Sequence, residues 1–107
     1  MIVATYHRSY NRLTVTGHAH SGEEGHDLVC ASVSALVLTL AGNVGSLITQ
    51  GNASNHIVVV KSGNAEVACT PRHKMRSVVT LIFDTICTGF ELLQTLYPEY
   101  ISYQVLG

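Results

Sequence analysis

The sequence predicts an α+β fold (an α/β two-layer arrangement), a mainly antiparallel sheet with two long helices on one face, in the order ββαββαβ. Short alternating segments come in two pairs joined by turn residues, residues 2–7 with 13–17 and residues 56–61 with 65–69. Residues 27–50 form an apolar run far too long for a strand, and a second run after Pro71 repeats apolar residues at helical spacing. The two hairpins argue against the alternative, a doubly wound parallel sheet.

Each element follows from its residues. Ile2, Ala4 and Tyr6 point to one side of the first strand, and Leu13, Val15 and Gly17 repeat the alternation after a polar turn at residues 9–12. Residues 19–26 contain Gly22, Gly25, Glu23 and Glu24 and have nothing with which to pack, so a mobile loop is expected there. The first helix then runs from Asp27, a good N-cap, to Gln50, with Gly51 as its C-cap. Val29, Val33, Val37 and Val44 would suit a strand, but length decides for helix. Gly42 and Gly45 inside it each cost about 1 kcal/mol relative to Ala; close backbone packing on the sheet is the first explanation, contact with a second subunit the other. After the polar loop 52–55, the second hairpin turns at Ser62-Gly63-Asn64. Thr70-Pro71 reads as N-cap and first helical position, followed at helical spacing by Met75, Val78, Val79, Ile82, Phe83, Ile86, Phe90, Leu93, Leu96 and Tyr97. This second helix stops at Tyr97, before Pro98, and residues 100–106 close the sheet.

Composition sets further bounds. Residues 1–107 make one domain that buries ~65% of its unfolded surface. Only 12% of residues are charged, against roughly 25% in an average soluble chain, so a partner chain is expected to cover part of the apolar surface. With a net charge of −1 and six Lys and Arg, there is no broad basic surface, and direct nucleic-acid contact is not expected. Arg72, His73, Lys74 and Arg76 nevertheless crowd the start of the second helix, against its dipole. They read either as a solvated face or as a small basic patch that meets an acidic or RNA-bound partner. Cys30, Cys69 and Cys87 are odd in number and lack CxxC spacing, which argues against a disulfide framework and a zinc site and places the chain in the reducing cytoplasm. Cys69 and Cys87 read as core filling. No secretory signal is evident at the N-terminus. Residues 28–48 carry no charge and are long enough to span a bilayer, but Ser32, Ser34, Thr39, Asn43 and Ser46 interrupt them and no cationic flank fixes an orientation. A helix buried on two sides, with no membrane, is the expectation.

The chemistry gathers at residues 16–36, TGHAHSGEEGHDLVCASVSAL. His18 ends a strand and Cys30 begins a helix, so folding back the loop between them would pair a cysteine nucleophile with its base. A helix start favours the thiolate and offers backbone N–H groups to an oxyanion. Ser34 lies four residues on, along the same face, where its hydroxyl could hydrogen-bond within the site. A metal site built from His18, His20, His26 or Cys30 is the competing reading, but the spacing matches no regular zinc site.

Gly17-His18-Ala19, followed by Gly25-x-Asp27-x-Val29-Cys30-Ala31-x-Val33-Ser34, resembles the ribosomal-processing cysteine protease family (Prp). The His-to-Cys interval agrees, and the two-helix layout and the closing Tyr97-Pro98-x-Tyr100-Ile101 are similar as well. The resemblance implies a thiol protease with Cys30 as nucleophile and His18 as general base. Asp27 and Ser34 would support them, Asp27 or a backbone carbonyl orienting the imidazole, and Gly22 and Gly25 would let the loop admit substrate. It further implies that the enzyme cuts a short N-terminal extension from the precursor of a bacterial large-subunit ribosomal protein, number twenty-seven, and it is consistent with the homodimer expected from the low charge content; no metal or cofactor is expected. The alternatives are a metal-binding module and a non-catalytic ribosome-assembly module acting through residues 72–76.

Overall fold

The computed structural model describes residues 1–17 and 26–107, the side chains of residues 26 and 27 excepted. Its elements are β1 (Ile2–His7), β2 (Arg12–Thr16), α1 (His26–Thr49), β3 (Ala53–Lys61), β4 (Asn64–Pro71), α2 (Arg76–Leu96) and β5 (Ile101–Leu106), with 3-10 turns at Arg8–Tyr10 and His73–Met75. This is the expected ββαββαβ order. Alternation buries Ile2, Ala4 and Tyr6 of β1, Leu13 and Val15 of β2, and Ala65, Val67 and Cys69 of β4 in one core with both helices. Antiparallel pairing joins β1 to β2, β2 to β4 and β4 to β3. β5 lies parallel to β1, from Ile2 opposite Ile101 to His7 opposite Leu106. The sheet is therefore mixed, in the order β3-β4-β2-β1-β5. The parallel pair arises because α2 carries the chain back along the sheet, so β5 starts at the same end as β1.

α1 ends as its sequence dictates. Gly51 adopts φ +74, its N–H donates to the Ile48 carbonyl, and Asn52 N–H donates to the Leu47 carbonyl, which satisfies the last carbonyls of the helix. Asp27 lies within α1 as described, His26–Thr49, and not at the N-cap position expected for it. Val29, Val33, Val37, Leu40, Val44 and Leu47 form the buried face. The opposite face is open, with Leu28 56% and Leu38 57% exposed, so α1 is buried on one side and not two. The chain has a single sheet layer to offer it. The expected backbone packing at Gly42 and Gly45 is also absent, since a Cβ at either position would meet nothing within 4 Å. The close approach occurs instead at Gly89 of α2, where a Cβ would stand 2.7 Å from Leu36 Cδ2 of α1.

α2 buries Val79, Phe83, Ile86, Cys87, Phe90 and Leu93, as the helical spacing requires. Its start differs from the local signal. Thr70 and Pro71 are the last residues of β4, opposite Ser54 and Ala53, because β3 is longer than its valine-rich part and pairs past an irregularity between Ser54 and Ile57. A proline is tolerated at a strand terminus, where its missing N–H costs no ladder bond. By length and composition both Leu28–Thr49 and His73–Leu96 could cross a membrane, yet each gives its buried stripe to the sheet.

One junction fastens α2 to β1. The Tyr6 ring stacks on Phe83 with centroids 6.1 Å apart, and its hydroxyl donates to Asp84 Oδ1 at 2.8 Å. Arg8 grips the same carboxylate through Nε and Nη2, both at 3.0 Å. The Arg8 guanidinium, with help from the Tyr6 hydroxyl, holds the Asp84 carboxyl below its ordinary value, while burial raises that of Tyr6. The Arg8–Asp84 pair is largely solvated and worth little by itself; the bond to the buried Tyr6 hydroxyl matters more. Asp84→Ala should therefore destabilise the fold by about 1–3 kcal/mol at pH 7. The carboxylate's contribution is fully present above its unfolded value, about pH 4, and lost as pH falls through the lower folded one. Urea denaturation should accordingly show the gap between variant and parent narrowing below about pH 4.

Candidate active site

The site is built where β2 ends. Gly17 has φ +99, and a Cβ there would run into the Met1 carbonyl oxygen and stand 3.4 Å from the Ile2 Cα. Its N–H donates to the Gly63 carbonyl at 3.1 Å. A side chain is thus excluded on steric and conformational grounds, and the start of β1, the end of β2 and the β3–β4 turn meet at this residue.

Cys30 faces the same junction. It is the fifth residue of α1, half-buried against the core, and the free N–H groups of the helix start belong to the turn that precedes it. A cavity of about 250 Å³ lies beside it. Cys30, Val33, Ser34 and Val37 line it from α1, Val60 through Ala65 from the second hairpin, and Ile2, Val15 and Gly17 from the first. The floor is apolar and the rim carries Ser34, Lys61, Ser62 and Asn64. Such a mixture suits a side chain or two of a bound molecule, held by apolar contact and oriented by a few polar groups.

The structure thus brings together Cys30, Ser34 and Gly17, the residue just before His18. His18, Gly22 and Gly25 lie outside the described residues, as do His20, most of the loop expected at residues 19–26, and the side chains of His26 and Asp27. Sequence reasoning missed the contribution of the second hairpin. Ser62-Gly63-Asn64 was legible as a turn, but nothing local connects a turn to a cysteine thirty-odd positions earlier; the link is the long-range pairing of β4 with β2.

The other cysteines contrast with Cys30. Cys69 is 3% exposed and burial raises its thiol. Cys87 is 2% exposed, and burial pushes its thiol up to about 12. Neither is placed to serve as a nucleophile at neutral pH.

Comparison with known proteins agrees with this geometry. No protein of curated function matches the sequence. The solved structure of SMU.848 from Streptococcus mutans is 27% identical, with a TM-score of 0.70 over 99% of this chain and 94% of that one. The essential ribosomal processing protease Prp from S. aureus, in complex with a covalently linked product peptide, is 21% identical, with a TM-score of 0.71 over 99% and 100% of the two chains. The same protease with a substrate peptide is 19% identical, with a TM-score of 0.69 over 98% and 97%. At 21% and 19% identity the likeness is one of fold. The family model described as cysteine protease Prp matches residues 1–102, and the chain belongs to that family.

Proposed function

We propose that this protein is a cytoplasmic cysteine endopeptidase that removes the N-terminal extension of the precursor of large-subunit ribosomal protein twenty-seven and so supports ribosome maturation. The observation that carries this reading is the placing of Cys30 on a preformed cavity together with Gly17, the neighbour of His18. Cys30 Sγ is the nucleophile and His18 the general base. Attack on the scissile carbonyl gives a tetrahedral oxyanion facing backbone N–H groups at the start of α1. Its collapse forms a thioester as the protonated His18 gives its proton to the departing amine. Water, deprotonated by His18, then releases the acid product and restores the thiol. Asp27 or a backbone carbonyl orients the imidazole, Ser34 assists from the cavity rim, and Gly22 and Gly25 let the connecting loop admit the peptide. The chemistry needs neither metal nor cofactor. Family membership supports the reaction class, and the covalently linked product peptide of the S. aureus enzyme supports a covalent route.

The enzyme works as a homodimer in this reading. Leu28, Ala31, Ala35, Leu38, Gly42 and Gly45 recur at alternating spacings of three and four along the open face of α1, and α2 adds Leu81 at 65% and Leu92 at 57% exposure. A second copy would cover this surface.

Brief iodoacetamide treatment near neutral pH followed by mass mapping should label Cys30 ahead of Cys69 and Cys87; the reverse order would undo the nucleophile assignment. Incubated with the extended ribosomal protein, the enzyme should make one cut in the extension, and it should leave unfolded casein intact. Cys30→Ala should abolish the cut, and His18→Ala should lower kcat/KM by about 10²–10⁴-fold, whereas His20→Ala and His26→Ala should retain most activity. An untouched extension, or casein degraded throughout, counts against the proposal. Leu38→Glu should convert a sedimenting dimer to monomer at micromolar concentration; a parent protein already monomeric there would exclude the dimer.

A further inference from the structure

Half of the six Lys and Arg residues fall within five positions, as Arg72, Lys74 and Arg76. All three are exposed, and none forms an ion pair among the described residues, whereas Arg8 is tied to Asp84 and Arg12 to Glu66. The cluster opens α2, whose first turn has no acidic residue and no side-chain cap. Cations there oppose the helix dipole, and among the described residues their side chains make a single weak tie to the fold, from Arg72 Nη2 to Asn52 Oδ1 at 3.5 Å.

The surface beside the cluster is equally distinctive. A shallow cleft of about 400 Å³ is lined by Ser9, Tyr10, Thr70, His73 and Arg76. A second, of about 460 Å³, shares Arg76 and adds Arg8, Ser77, Thr80 and Leu81, with the Asp84 carboxylate held by Arg8. Tyr10 is 75% exposed, an aromatic ring held in solvent next to cations and hydroxyl groups. We propose that this end of the molecule is a docking surface for single-stranded RNA. Arg72, Lys74 and Arg76 meet phosphates, the hydroxyls of Ser9, Thr70 and Ser77 donate to phosphate oxygens, and Tyr10 and His73 offer planes on which bases stack. An acidic protein would satisfy the cations but leave the exposed ring and the hydroxyls of the first cleft unused. The choice of RNA rests on the ribosomal-protein reading above, because such substrates are carried on RNA.

The position fits a docking role. Arg72 N–H donates to the Asn52 carbonyl at 2.8 Å, and Asn52 lies just beyond the C-terminal end of α1, while Cys30 lies near the other end. At 1.5 Å per residue the two are about 30 Å apart, so RNA at one end leaves the peptide cavity at the other end free. A net charge of −1 makes the contact local and weak, unlike that of a broadly basic protein.

Fluorescence anisotropy with a fluorescein-labelled 20-nucleotide single-stranded RNA of mixed sequence tests this on the full chain. Three phosphate contacts give a salt slope of about −2, an affinity loss of about twentyfold between 50 and 200 mM salt. The combined variant Arg72→Gln, Lys74→Gln, Arg76→Gln should bind at least tenfold more weakly at 50 mM salt, and Tyr10→Ala about fivefold or more. Both should keep the parent's circular dichroism and its rate on a short peptide substrate. No binding at 100 µM protein in low salt, equal binding by the triple variant, or tighter binding of polyglutamate than of RNA would overturn the proposal. RNA binding by a protein that fails to cut the ribosomal extension would sustain this surface and remove only the protease reading.

Discussion

Everything at the site depends on a contact that leaves no room for a side chain. Gly17 sits against the Met1 carbonyl at φ +99 while its N–H is held by Gly63. β2 is the strand flanked by β1 and β4, so a shift at its end would disturb two registers at once, Val3 opposite Thr16 on one side and Thr16 opposite Asn64 on the other. The same contact draws the β3–β4 turn over the start of α1 and gives the cavity beside Cys30 its second wall. The residue before the proposed base is thus fixed by backbone sterics, a rigid support of the kind a catalytic group needs.

The periodic parts of the fold were legible in the sequence. Alternation identified both hairpins, helical spacing identified α2, and length identified α1, because each pattern is local and repeated several times. Three features were not legible. Thr70-Pro71 is a strong helix-start signal, yet pairing with Ala53 and Ser54 outweighs it. The neighbour of β1 on its second side is β5, almost the whole chain away, and no local pattern encodes such a partner. The roles of Gly42, Gly45 and Gly89 depend on where two helices cross, and all three look alike as letters. At the site, Cys30 and Ser34 could be placed on one helical face from their spacing alone. The residues facing them from the second hairpin could not, since their approach depends on the order of the strands.

The helices show how a small two-layer fold divides its apolar residues. One sheet face can cover one stripe of each helix, and the buried valines of α1 and the aromatics of α2 use that capacity fully. The remaining leucines, Leu28, Leu38, Leu81 and Leu92, stay exposed. Charged residues make up only 12% of the chain, too few to shield them. A low charge content and bare helix faces are therefore one fact seen twice, and both are relieved if the helix layer meets another helix layer.

The few charges are also unevenly spread. Arg8 and Arg12 are tied within the fold to Asp84 and Glu66, while Arg72, Lys74 and Arg76 form no ion pair among the described residues. The cation cluster lies about the length of α1 from Cys30, several times the ~8 Å Debye length at physiological salt, so it acts on its own surroundings and the near-zero net charge conceals it. A cationic far end attracts phosphate. On the proposed function, a ribosomal protein on its RNA presents such a phosphate partner together with the peptide, and a free polypeptide does not. The cationic end would then favour the intended substrate before any pocket is filled.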